Sequence, residues 1–222
     1  MTPRVLVIYY SLSGQTRGVL QRFIAGLQQG GALVTEARLT PLEPLRFPLG
    51  SIPATLRMMV VTLFRRRFPI EPAEEAWFEP HDLIVLGGPT WSYHPSGPVL
   101  DLLDRYGNRL FRGRTVLPLI SCRGYWRMHW FGLRRLLLAC GAEVPNRMIF
   151  THPVGEPWRT LGVFLKLAGR VPERTLGGHY PRYGHSRQQQ DEAYAYGVKV
   201  AEALAAAVPL EHLDLSSPVA MP

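Results

Sequence analysis

Five short apolar runs alternate along the chain with segments whose apolar residues recur every three to four positions. The first run, Val5-Leu6-Val7-Ile8-Tyr9, and the third, Leu83-Ile84-Val85-Leu86, are uniformly apolar. That is the pattern of strands buried on both faces. Residues 33–37, 115–121 and 144–150 read as three further strands. Between them lie helical stripes: Val19, Leu20, Phe23, Ile24 and Leu27; then Val99, Leu100, Leu103 and Tyr106; then Leu133 with Leu136, Leu137 and Leu138. Pro98 suits the first turn of its helix and Gly141 the end of another. A last stripe, from Tyr194 through Val198, Ala201 and Leu204, predicts a helix beginning at Asp191. Strands alternating with helices imply an α/β fold, with a parallel sheet covered on both faces. Five strands suit a doubly wound sheet in the order 2-1-3-4-5, in which strands one and three flank the crevice where ligands bind.

Two stretches interrupt this rhythm. Residues 39–80 are punctuated by Pro41, Pro44, Pro48 and Pro53 and then carry Leu56, Val60, Leu63 and Phe64 at helical spacing. Thr55, Thr62, Arg65 and Arg66 fall largely opposite that stripe. We expect an ordinary surface helix that packs the stripe inward. The run Arg65-Arg66-Arg67 beside Met58-Met59-Val60-Val61 leaves a second reading, a cationic amphipathic helix on a membrane surface. Residues 151–186 form the other interruption, with Trp158, Phe164 and Leu165 among Arg159, Lys166, Arg170 and Arg174. One domain over residues 1–210 carries both insertions, and residues 211–222 form a loose tail.

The candidate chemistry lies in the turns after the strands. Tyr10-Ser11-Leu12-Ser13-Gly14-Gln15-Thr16 joins the first strand to the first helix. Such a turn is an anion site, because N–H groups at a helix N-terminus point outward and the helix dipole favours negative charge. The hydroxyls of Ser11, Ser13 and Thr16 add donors, and Gly14 lets the backbone bend. No Lys stands in the turn, which excludes the ATPase P-loop. A helix cap of Ser and Thr without a ligand is the alternative. In the predicted topology this loop, residues 89–98 (Pro89, Thr90, Trp91, Ser92, Tyr93 and onward) and residues 121–126 (Ser121, Cys122, Arg123, Gly124, Tyr125, Trp126) face one crevice.

Charge narrows the partners. With 25 Lys and Arg against 17 Asp and Glu the chain is net +8 and has a pI near 9.9, a balance suited to anionic partners. No nucleic-acid motif accompanies it, so specific binding of nucleic acid is not expected. Cys122 and Cys140 form neither CxxC nor a zinc spacing, and the seven histidines are scattered, so no metal site is expected. A cytoplasmic protein is the expectation, with contact at the inner face of an anionic membrane left open.

Ser11-x-Ser13-Gly14-x-Thr16, followed by Gly87-Gly88-Pro89-Thr90-Trp91 and the loop after the fourth strand, resembles the flavodoxin-like flavoproteins. The Val-Ile-Tyr-Tyr start, Ile-Ser-Cys122-Arg123-x-x-Trp126 and Asn146-Arg147-Met148-Ile149 are similar to flavodoxin-fold proteins named "dialkylresorcinol condensing enzyme". The resemblance implies FMN as cofactor, held at its phosphate by Ser11, Leu12, Ser13, Gly14, Gln15 and Thr16. The loops at residues 89–93 and 121–125 would hold the ring, with Trp91, Tyr93 or Tyr125 stacked on it. It implies an oxidoreductase passing electrons to a quinone or other small acceptor, with NAD(P)H as a candidate donor. A condensing or accessory role in lipid biosynthesis and a one-electron carrier with a redox partner protein are the alternatives. The oligomeric state and the catalytic residues are left open. Cys122 reads as a nucleophile, a thiol beside the flavin, or a small buried hydrophobe, and the last is preferred. Arg123 could hold a phosphate or an anionic flavin, or be a surface charge. His94 and His129 could give protons to a quinone, but partly exposed loop positions are preferred for both.

Overall fold

The computed structural model describes residues 2–218. In chain order the elements are β1 (Arg4–Tyr9), α1 (Gln15–Gln29), β2 (Leu33–Arg38), α2 (Ile52–Leu63), β3 (Leu83–Trp91), β4 (His94–Pro95), α3 (Gly97–Phe111), β5 (Val116–Cys122), α4 (Trp126–Ala139), β6 (Met148–Thr151), α5 (Trp158–Leu167), α6 (Pro172–Thr175) and α7 (Arg187–Ala205). The main sheet runs β2-β1-β3-β5-β6 with every neighbouring pair parallel. This is the expected doubly wound order, with β4 added as an antiparallel hairpin on β3.

Alternation along the strands divides the core in two. Val5, Val7 and Tyr9 face one way and pack with Val19, Phe23 and Leu27 of α1 and Tyr196 and Val200 of α7. Leu6 and Ile8 face the other way, with Leu102 and Leu110 of α3 and Leu133 and Leu137 of α4. Both layers are closely buried and apolar, and the β1, β3 and β5 ends of the sheet carry the three candidate loops.

Several expectations change. The fifth parallel strand is shorter than residues 144–150, because β6 begins only at Met148. Asn146 instead donates from Nδ2 to the carbonyls of Leu210 and Leu213, at 2.8 Å each. That turn ties down the segment expected to be loose: Leu210 and Leu215 are buried, and Ser217 Oγ donates to Glu192 at 2.6 Å. Residues 219–222 of the expected tail lie outside the described residues. The last helix starts at Arg187, ahead of Asp191, because Ser186 and Gln189 form a capping box.

The largest change concerns α2. The helix forms where its spacing predicts, capped by Ser51 with Pro53 in its first turn. Its burial is inverted. Thr55 and Thr62 are buried, while Leu56, Val60 and Leu63 are each about half exposed and Phe64 is 80% exposed. The inward threonines need no outside water, because Thr55 Oγ1 donates to Ser51 O at 2.9 Å. Thr62 Oγ1 lies 2.8 Å from Met58 O and 2.7 Å from Ser92 Oγ.

The two long connections meet over the carboxyl ends of the strands. Leu49 N–H donates to Leu167 O at 2.8 Å, and the Phe47 and Tyr183 rings stack with centroids 6.2 Å apart. They form an arch, with α2 on one side and α5 on the other. Among the described residues no helix is long and apolar enough to cross a membrane.

Candidate functional site

The β1–α1 turn has the geometry of an anion cradle. Gly14, at φ +83°, precedes the first residue of α1. Ser11 Oγ accepts from Arg17 N–H at 3.2 Å, and Gly18 N–H donates to Gly14 O at 2.8 Å. The N–H groups of Gln15 and Thr16, in the first turn, have no intrahelical acceptor and face outward. Thr16 is buried, Ser13 and Gln15 are half-buried, and Gly14 is exposed.

The second loop is a tight hairpin. Trp91 pairs with His94 across it, and both central residues, Ser92 and Tyr93, have positive φ. This is the backbone of a two-residue hairpin turn that usually requires Gly or Asn. Ser92 Oγ donates to Met59 O at 2.9 Å, fixing the turn to α2. Trp91 is held edge-on between Tyr10, at 5.5 Å, and Phe68, at 5.7 Å. Tyr125, also at positive φ, caps α4 and meets Tyr93 edge to face at 5.9 Å. Of the five non-glycine residues with positive φ among those described, Ser92, Tyr93 and Tyr125 line one cavity. Left-handed backbone at non-glycine residues costs on the order of 1–3 kcal/mol each and clusters at functional sites.

Beneath Tyr125 the β5 loop carries buried chemistry. Cys122 is buried, and burial pushes its thiol up to about 12. Thr90 Oγ1 lies 2.6 Å from His129 Nδ1. His129 is fully buried rather than partly exposed, and burial lowers its pKa to about 3. Neither group is charged near neutrality. His94 is half-buried, and burial followed by Arg65 lowers its pKa. The buried cation is Arg159 of α5, which donates from Nε to Glu156 at 3.1 Å. Its guanidinium lies against residue 124, where a Cβ would come within 2.8 Å of it, so a side chain there would have to displace the guanidinium.

The far side of the crevice was not legible beforehand. His185 Nε2 lies 2.8 Å from Ser121 Oγ, and Tyr180 hydroxyl lies 2.9 Å from His152 Nε2. Val154 N–H donates to His152 Nδ1 at 3.2 Å. Burial lowers both histidines to about 4. His185 N–H donates to Gln15 Oε1 at 3.2 Å, so the end of the second connection latches onto the anion loop. Gly184 makes the latch possible: its φ is +103° and a Cβ there would overlap the Gln15 amide. Nothing in the spacing of residues 151–186 announces this contact, because it joins positions 170 residues apart.

Two cavities share these walls. A smaller one of about 130 Å³ lies against Ser13, Gln15, Thr16, Ser121 and His185, with Leu12, Phe47, Val163 and Leu167 closing its apolar side. An apolar one of about 390 Å³ lies among α2, Trp91, Tyr93, Tyr125 and Phe164. They meet at Leu12, Thr90, Trp91, Arg123, Val163 and Leu167. Of the sixteen candidate residues, Ser11 and Gly14 alone line neither; Ser11 instead braces the turn from within.

No family model matches the chain, and no curated protein does. Solved structures do. A flavodoxin from the domain Archaea aligns with a TM-score of 0.53 at 12% identity, over 91% of this chain and 99% of that one. A putative flavoprotein from Bacteroides eggerthii aligns at 0.54 and 16%, over 67% and 88%. The Flv1 flavodiiron core from Synechocystis sp. PCC6803 aligns at 0.52 and 14%, over 93% of this chain but 37% of its own. At these identities the likeness establishes the fold, which is flavodoxin-like.

Proposed function

We propose that the chain binds FMN and acts as a flavin-dependent redox protein on a small apolar acceptor, of which a quinone is one. The observation that carries this is the continuity of a hydroxyl- and N–H-lined cradle with an apolar cavity. A flavin mononucleotide has the same two ends. Ser13, Thr16 and the first N–H groups of α1 would hold the phosphate. Trp91, Tyr93 and Tyr125 would flank the ring, with Arg123 supplying positive charge nearby. FMN, when bound, supplies one- and two-electron chemistry, while the protein orients it and sets its potential. The cavity walls, from Leu12 and Leu56 to Val163 and Leu167, favour an apolar acceptor over a charged one. NAD(P)H is the proposed donor, reaching the same mouth.

Cys122 and His129 support the redox reading over a condensing one. A condensing nucleophile needs a thiolate with a basic partner. Here burial keeps the thiol protonated, and the imidazole is bonded to Thr90. A His129 that protonates only near pH 3 is not a proton donor to a quinone at neutrality either.

Titration of FMN and of riboflavin into the wild type and into Ser13→Ala and Thr16→Ala tests the binding. Each lost charge-assisted hydrogen bond costs about 1.5–3 kcal/mol, roughly 10- to 150-fold in affinity. FMN should weaken by that factor and riboflavin hardly at all; equal losses would remove the loop as the phosphate site. NAD(P)H oxidation by the FMN-loaded protein, with and without a soluble quinone, tests the reaction. No turnover with any pair would leave electron carriage to a protein partner.

A further inference from the structure

The excess positive charge of this chain lies in the segments that build the mouth. Residues 44–70, 89–98, 121–131 and 157–172 contain ten Lys and Arg and no Asp or Glu, against 25 and 17 in the whole chain. The remainder therefore carries 15 cations against 17 carboxylates and is net negative. Two of the ten are neutralised locally, Arg159 by Glu156 and Arg67 by Asp104. Arg57, Arg66, Arg127 and Arg170 are exposed.

The same segments carry an apolar surface. Leu56, Val60, Leu63 and Phe64 project from α2, and Met128 and Phe131 from α4 are 58% and 66% exposed. This face is not a core face awaiting its partner within the fold, because α2 is already seated on the domain through Thr62 and Ser92. A helix that turns threonines inward and leucines outward, beside exposed arginines, has the composition of helices that lie in a membrane interface. A second copy would bring a like-charged face against it, and nucleic acid would leave the apolar rim unsatisfied.

We propose that this face docks on an anionic phospholipid surface. Helix α2 lies in the interfacial layer with Val60, Leu63 and Phe64 among the acyl ends, and Arg57, Arg66 and Arg127 meet the headgroups. The mouth of the apolar cavity then opens toward the lipid. The docking does not depend on FMN.

Co-sedimentation of the full chain with vesicles tests it, using phosphatidylcholine alone and phosphatidylcholine mixed with phosphatidylglycerol. The expected result is binding to the mixed vesicles only, lost at high salt as screening sets in. Each of Arg57→Gln, Arg66→Gln and Arg127→Gln should weaken binding roughly five-fold. Phe64→Ser, at an exposed position, should weaken it roughly ten-fold or more while leaving the circular dichroism and melting of the free protein unchanged. Binding to neither vesicle would overturn the proposal, as would binding indifferent to lipid charge. Binding untouched by Phe64→Ser would overturn the seating of α2. Concentration-dependent dimerisation abolished by Phe64→Ser, without vesicle binding, would assign the face to a second copy.

Discussion

Helices α1 and α2 are built from similar material and do opposite things with it. Helix α1 buries Val19, Leu20, Phe23, Ile24 and Leu27 against β1 and α7. Helix α2 buries two threonines and leaves Leu56, Val60 and Leu63 about half exposed at the rim of the apolar cavity, with Phe64 beyond its end largely in solvent. The first is held by apolar contact over one whole face, the second by a cap, a few hydroxyl bonds and the arch around it. Stability and exposed chemistry are thus separated: the α1 side is frame, and the α2 side is a surface available for binding.

Acid should expose that separation most strongly. His152 and His185, under the arch, are held neutral with pKa values near 4 against 6.5 for a free imidazole. Below pH 6.5 the unfolded chain takes up protons that the folded chain refuses. Stability is therefore complete above that value and lost as pH falls toward 4, by up to about 1.4 kcal/mol per pH unit for each histidine. Urea unfolding across this range should show the slope, and His152→Gln should flatten it by about one proton. A stability independent of pH in this window would contradict the buried, neutral assignment.

Among substitutions the frame should dominate. Phe23→Ala should cost about 3–5 kcal/mol in urea unfolding, because Phe23 is fully buried. Phe64→Ala, at a side chain 80% exposed, should stay within about 0.5 kcal/mol. Comparable losses would mean that α2 has an apolar partner within the fold.

A finer pair inverts the usual expectation. Thr62→Val makes α2 more apolar but strips hydroxyl contacts with Met58 O and Ser92 Oγ. It should destabilise by about 1–3 kcal/mol, since Ser92 loses a partner. Val60→Thr, on the outer face, should change unfolding by no more than about 0.5 kcal/mol. The reverse ranking would restore the inward-facing stripe.

The strands and the α1 stripe were legible because burial on both sides of a sheet leaves uniformly apolar runs such as Val5 to Tyr9. The anion loop was legible because strand, hydroxyl turn and helix are adjacent in the chain. The facing of α2 was not, since spacing shows that Leu56, Val60 and Leu63 share a side but not which side is covered. The latch of His185 on Gln15 and the approach of Arg159 to Gly124 depend on how a 35-residue connection folds back. Local patterns carry no trace of such contacts. The extended final helix is different: Ser186 and Gln189 already spelled its start.

The central claim is that cradle and cavity form one site. Amide hydrogen exchange of the protein with and without FMN tests it most directly. FMN should slow exchange together in residues 11–17, 89–93 and 121–125, with residues 183–185 following through the latch. Protection confined to the apolar cavity, with residues 11–17 unchanged, would contradict it.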